Sequence, residues 1–211
     1  MKKVFLAGIS LFAMVMLYGE TTWLRVTRDG KSKDTSVTRT VSEQNGLRTI
    51  SEKAEQGTSV CVLNVGGEAV RYEFTDKNGS CVMERNASTV KITGTYKGKK
   101  VYADIKLGKA GWYGSFEYGL SALCASGKKD LVAMLINPAD PSKSIEMKYT
   151  LVGDEKLGDM PVHKIKISLT GMLANFWSAY YWVNDKGETM RYEGDEGPGT
   201  GKMVVEYLRT E

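Results

Sequence analysis

Histidine is the side chain best suited to general acid-base work or metal binding near neutrality, and this chain has one, His163. It shares a two-residue phase with Ile165, Ile167 and Leu169 against Lys164, Lys166 and Ser168. That places it on the apolar face of a strand, as a satisfied core residue or as part of a cavity wall. No pattern of Cys, Ser or carboxylates beside it marks a nucleophile or a metal site. Gly119-Leu120-Ser121-Ala122-Leu123 lacks the closing glycine of a nucleophile elbow. Gly197-Pro198-Gly199-Thr200-Gly201-Lys202 imitates a phosphate loop. It fails because Glu196 occupies the leading glycine position, Met203 replaces Ser or Thr, and a strand pattern follows where a helix is required. A wide turn between strands accounts for it. The reading is of a protein that is not an enzyme and uses no cofactor or metal, with a hydrolase of unrecognised site as the residual alternative.

The three cysteines, Cys61, Cys81 and Cys124, form neither a Cys-x-x-Cys nor a Cys/His cluster with metal spacing. Cys61 and Cys81 fall on strands with one strand between them. That sets them about 9–10 Å apart, beyond disulfide reach, and buried free thiols are expected. A Cys61–Cys81 bridge is the alternative if the strand order differs.

The aromatic residues are the more suggestive set. Trp112, Tyr113, Phe116, Phe176, Trp177, Tyr180, Tyr181 and Trp182 gather on two segments. They form either a core or the wall of an apolar pocket, to which Met134, Met147 and Met172 would add adaptable surface. As a pocket, the ligand-binding candidates are Trp112, Tyr113, Phe116, Trp177, Tyr180 and Trp182, with His163. Arg71, Glu73, Arg191 and Glu193 would place charged pairs at its mouth, or form exposed cross-strand pairs.

The elements that position these residues are almost all strands. Tyr113, Phe116, Leu120 and Leu123 give one apolar helical stripe, which predicts a helix over Trp112 to Gly127 with Gly127 as its C′ residue. Gly114 and Gly119 weaken it but let it lie close to a sheet. Around it run short segments rich in Thr, Val, Tyr and Ile, closed by turns such as Asp29-Gly30 and Asn45-Gly46. They predict strands at 22–28, 36–43, 47–55, 60–65, 68–74, 81–84, 89–96 and 100–107 before the helix. After it come 131–136, buried on both faces, then 145–151, 162–169, 176–184, 188–193 and 203–208. Gly-Glu-x-x-Arg-Tyr-Glu occurs twice, at Gly67–Glu73 and Gly187–Glu193, either as a trace of duplication or as convergent hairpin chemistry. The fold class is mainly β, a long curved antiparallel sheet wrapped around a single helix.

Lys2 and Lys3, the apolar run Val4 to Leu17 and then Gly19 give the layout of a secretory leader over residues 1–19, with one domain over 20–211. The run is shorter than the roughly 20 residues a membrane span needs. An uncleaved anchor is the alternative, since Leu17 suits the −3 position poorly. No Cys near the cleavage region offers itself for acylation. The net charge of +4 would fall to +2 without the leader, and with lysines spread along the chain this argues against nucleic acid.

The run Phe176-Trp177-Ser178-Ala179-Tyr180-Tyr181-Trp182-Val183, with Arg191-Tyr192-Glu193-Gly194 and Gly197-Pro198-Gly199-Thr200 after it, resembles a group of uncharacterised exported bacterial proteins with a LolA/LolB-like half-barrel. The resemblance covers roughly Lys91 to the end. It implies a curved sheet around a helical element with an apolar cavity between, and a periplasmic, monomeric binding or carrier protein for an apolar small molecule or lipid. Known carriers plug the half-barrel with several helices where this chain offers one, and no ligand motif is matched, so no binding residue is carried over. The second reading is an envelope interaction module with a filled core, whose sheet edges recruit a protein partner.

Overall fold

The computed structural model describes residues 16–137, 140–185, 187–195 and 201–211. The phosphate-loop-like stretch 196–200 and most of the expected leader lie outside them. Fourteen strands and one α-helix follow in order: β1 (Met16–Arg28), β2 (Lys31–Gln44), β3 (Leu47–Ala54), β4 (Gly57–Leu63), β5 (Ala69–Asp76), β6 (Gly79–Asn86), β7 (Thr89–Tyr96) and β8 (Lys99–Lys106). Then come α1 (Phe116–Ser126), β9 (Asp130–Leu135), β10 (Ile145–Leu157), β11 (Met160–Leu169), β12 (Ser178–Val183), β13 (Thr189–Asp195) and β14 (Lys202–Thr210). All described strands join one antiparallel sheet in the order 8-7-6-5-4-3-2-1-14-13-12-11-10-9. It consists of an eight-stranded meander, β1–β8, and a six-stranded one, β9–β14, joined where β1 pairs with β14. The helix separates them along the chain.

The expected architecture is the observed one: a curved open sheet around a single helix. Turn chemistry explains much of it. Asp29-Gly30 and Asn45-Gly46 both have positive φ at the two central positions (50° and 75°, 53° and 73°), as two-residue hairpin turns between right-twisted strands require. Alternation does the rest, burying Ile165 and Ile167 fully on the concave face of β11.

The helix begins four residues later than its apolar stripe predicts. Gly114 sits at φ +82°, and a Cβ there would lie 2.9 Å from Cys61 Sγ and 3.0 Å from Tyr72. The chain therefore crosses the sheet extended, with Trp112 accepting a hydrogen bond from the Ala69 N–H (2.8 Å), and only Phe116 onward is helical. Gly127 closes it in the left-handed region, at φ 62°. Gly119 allows the close approach expected of it, since a Cβ there would lie 2.9 Å from the Tyr149 ring.

Strand β9 is not buried on both faces as expected; Ala133 alone of its residues is fully buried. The reason is its place at the sheet edge, where Gly111 bridges it through Val132 O (3.0 Å) and the Met134 N–H (2.8 Å). The lysines are also less evenly spread than read. Lys91, Lys97, Lys99, Lys100, Lys106 and Lys109 lie on or beside the hairpin of β8, the other edge, where charge discourages pairing with a second chain.

The repeated motif is a repeated structure. Asn64 N–H bonds Glu68 O (2.9 Å) and Gly67 N–H bonds Asn64 O (2.9 Å); Asn184 N–H bonds Glu188 O (3.0 Å) and Gly187 N–H bonds Asn184 O (2.8 Å). Each asparagine side chain accepts from the following glutamate N–H, at 3.1 and 3.0 Å. Each hairpin is bulged at the same place, between Val62 and Leu63 and between Trp182 and Val183. The match thus extends beyond the seven residues visible in sequence.

Cys61 and Cys81 lie on β4 and β6 with β5 between them, and none of the three cysteines is in a disulfide. Burial, with a smaller push from Glu52, raises the Cys61 thiol to about 12, and burial raises Cys81 and Cys124 as well. Because the thiolate is the reactive form, Cys61 and Cys81 should resist alkylation in the native protein, while half-buried Cys124 reacts slowly. Intact mass after labelling, with and without denaturant, checks this. Rapid native labelling of Cys61 would contradict its burial.

Candidate functional site

Between the concave face of the sheet and α1 lies a half-open cleft of about 2390 Å³, large beside the roughly 300–1,000 Å³ of ordinary small-molecule pockets. Aliphatic side chains from both meanders floor it, among them Val41, Ile50, Leu63, Met147, Leu169 and Val205. One wall is a run of rings. Phe116 on α1 stacks on Trp177 (centroids 6.5 Å, 28° between planes) and meets Tyr181 (6.5 Å), which meets Tyr192 edge-on (4.9 Å, 65°). Trp177 Nε1–H and the Tyr192 hydroxyl both donate to the Asp195 carbonyl, at 2.9 and 3.2 Å. The polar ends of the rings are tied down and their faces left to the cleft.

A charged network sits in the same space. Arg39 on β2 is directly opposite Glu52 on β3. Its Nε donates to Glu52 Oε1 at 2.8 Å, and its Nη2 lies 2.7 Å from the same oxygen. Nη2 also reaches Glu117 Oε2 on α1 at 3.1 Å. Burial works against the Arg39 charge, but Glu52 and Glu117 outweigh it and hold the guanidinium above its ordinary range. Glu117 is raised, first by desolvation and then by the Glu52 carboxylate, with Arg39 offsetting part of this. Tyr72, also lining the cleft, is pushed up to about 12, mainly by burial.

Of the residues singled out from sequence, Phe116 and Trp177 line this cleft. Trp112 and Tyr113 are packed beneath it, 1% and 7% exposed. Tyr180 and Trp182 face the other way. Alternation along β12 puts Ala179 and Tyr181 on the concave side and turns these two outward. There Lys164 covers both rings (5.3 and 4.9 Å to the centroids), and Arg191 lies 5.5 Å from the Trp182 centroid. Trp182 Nε1–H donates to Glu155 (2.7 Å), and the ring packs with Val162 and Met190 in a small cluster separate from the main core. His163 is not among the lining residues either. Its Nδ1 is 2.6 Å from Asp154 and its Nε2 is 3.3 Å from Asp185, both exposed. Met172 and Phe176 are surface residues, 95% and 72% exposed. Arg71 and Arg191 each bind a glutamate two residues on and another on a neighbouring strand, as cross-strand pairs on the outer face.

Sequence reasoning missed Arg39, Glu52, Glu117, Tyr72, Tyr181 and Tyr192 as a set. A signal was present for two of them: Arg39 is in phase with Val37 and Val41, and Glu52 with Ile50 and Ala54, charges on faces that otherwise read as buried.

No protein-family model matches the chain, and no curated protein matches it. Among solved structures, a β-barrel-like protein of the domain of unknown function DUF1849 from Brucella abortus superposes with a TM-score of 0.62 at 10% identity. The match covers 93% of this chain and 98% of that one. The two share a fold. At that identity the likeness extends to nothing further. A putative outer membrane lipoprotein-sorting protein domain from Vibrio parahaemolyticus (TM-score 0.29, 9% identity, 92% and 84% covered) also matches. So does a LolA superfamily protein from Nitrosomonas europaea (0.23, 7%, 92% and 85%). Neither score carries an argument about the half-barrel described here.

Proposed function

We propose that the protein is a non-enzymatic binding or carrier protein that holds an apolar, lipid-like molecule between sheet and helix, as an exported monomer in the periplasm. The observation that carries this is the cleft itself: about 2390 Å³, half open, with aliphatic and aromatic walls drawn from both meanders. An interaction module with a filled core has no use for such a volume. A catalytic reading asks for His163 beside a carboxylate within a cleft; the carboxylates are there, but exposed and outside the cleft lining. Export rests on the leader-like residues 1–19.

Native mass spectrometry of the exported protein, purified without detergent, tests both parts. The expected result is a chain shortened by about the length of a secretory leader, carrying a stoichiometric adduct that organic solvent extracts as a lipid. A bare chain that stays bare after incubation with membrane lipids would defeat the carrier reading and favour a protein partner at a sheet edge.

A further inference from the structure

We infer that the cleft selects its ligand by the charge of the head group, taking an apolar chain with a net-cationic, ammonium-bearing head, seated at Glu52, Glu117, Arg39 and Tyr118. This rests on the carrier reading above and adds a chemical class to it.

The cleft is acidic inside a basic protein. Among the described residues its lining holds six carboxylates against three arginines and no lysine, and one of these arginines, Arg191, turns its side chain to the outer face over Trp182, while the whole chain carries +4. At the inner network two carboxylates share one guanidinium. The Arg39 fork is already occupied, on Glu52 through two nitrogens and on Glu117 through one. A carboxylate or phosphate head would have to displace one of these partners and then face both. A cation meets the reverse situation, a net negative site whose second carboxylate is poorly neutralised.

A second, independent feature points the same way. Tyr118 is 5% exposed and lines the cleft, yet its buried hydroxyl has no hydrogen-bond partner among the described residues. It follows Glu117 directly on α1 and lines the same cleft as Glu52 and Glu117. Buried hydroxyls are normally paired, and this one can accept from an ammonium N–H. Tyr72 supplies a further ring face of the kind that attracts quaternary ammonium groups. The adjoining Phe116–Trp177–Tyr181 wall then receives the apolar chain. A latch that merely held α1 to the sheet would be complete with one carboxylate on the arginine, and would leave nothing for Tyr118 to do.

The test is a titration of the purified protein, followed by tryptophan fluorescence and native mass spectrometry. The probes are dodecylammonium and dodecanoate, matched in chain length and opposite in head charge, each below its micellar concentration. The ammonium probe should bind at least about tenfold more tightly at neutral pH, a preference that salt weakens. The Glu52→Gln/Glu117→Gln variant should lose most of that preference while still binding the chain. If that variant does not fold, Glu117→Gln alone, at a side chain 47% exposed, should roughly halve the preference on a logarithmic scale. Equal binding of the two probes, tighter binding of dodecanoate, or an unchanged preference in the variants overturns the head-group assignment and leaves the carrier reading standing. Binding of neither probe by the wild-type protein overturns both.

Discussion

Arg39→Met should cost about 2 kcal/mol of stability at neutral pH, and the loss should shrink as the pH falls toward about 5. Removing one partner of a buried ion pair is expected to cost roughly 3–5 kcal/mol. The lower figure applies because Arg39 is 27% exposed and Glu117 47% exposed, so solvent screens part of the interaction. Methionine keeps the bulk of the side chain and takes away its charge. Glu52 and Glu117 then face each other with no cation between them, and the Glu117 carboxyl, already raised by burial and by Glu52, loses the Arg39 charge that offsets this and rises further above its unfolded value. The folded state therefore holds more protons than the unfolded one, so stability falls as pH rises through this range and recovers as pH drops. Urea denaturation of wild-type and variant protein at the two pH values measures the difference. A loss that is the same at both would mean that the two carboxylates do not sense each other. Adding Glu117→Gln to the variant should recover part of the loss at neutral pH, because it removes the repulsion without restoring the arginine.

Leu120→Ala should be more damaging, by about 3 kcal/mol and at every pH. Leu120 is 0% exposed and belongs to the main core, on a helix that packs toward β9 and β10, so the truncation leaves a cavity that the close-packed sheet can only partly collapse. For a chain of this length the melting temperature should fall by roughly 6–12 °C. Met172→Ala, at a side chain 95% exposed, should change stability by no more than about 0.5 kcal/mol and serves as the control. A small effect at Leu120 would mean that the helix is not held by its apolar face, and the cleft would then lack a fixed wall.

The strands were legible because their information is local. In β8, Val101, Ala103 and Ile105 alternate with Tyr102, Asp104 and Lys106, and the observed burial follows that phase. The start of α1 was not legible. Trp112 and Tyr113 are as apolar as the helix that follows, and only the left-handed Gly114 between them and Phe116 breaks the pattern. The site was legible as a region and not as a residue set. Both faces of β12 carry rings, and which face is concave is decided across the sheet, by Lys164 and Arg191 reaching over Trp182. Arg39 and Glu52 are 13 positions apart in sequence and become partners only through the register of β2 on β3. Glu117 joins them only because α1 lies across that register.

Of the thirteen neighbouring pairs in the described sheet, twelve are consecutive along the chain, and β1 with β14 is the exception. Leu24 of β1 and Val205 of β14 both line the cleft, so the exception runs through its wall. Separate the hydrogen bonds of any other pair and a connection of at most nine residues still leashes the two strands together. Between β1 and β14 the covalent leash is the whole circuit of the chain. Thr21 and Glu211 exchange backbone hydrogen bonds at one end (2.9 Å each way), and Arg28 pairs with Met203 at the other. The half-barrel thus has a seam as well as a mouth, and of all its joints this one can gape widest without the connectivity objecting.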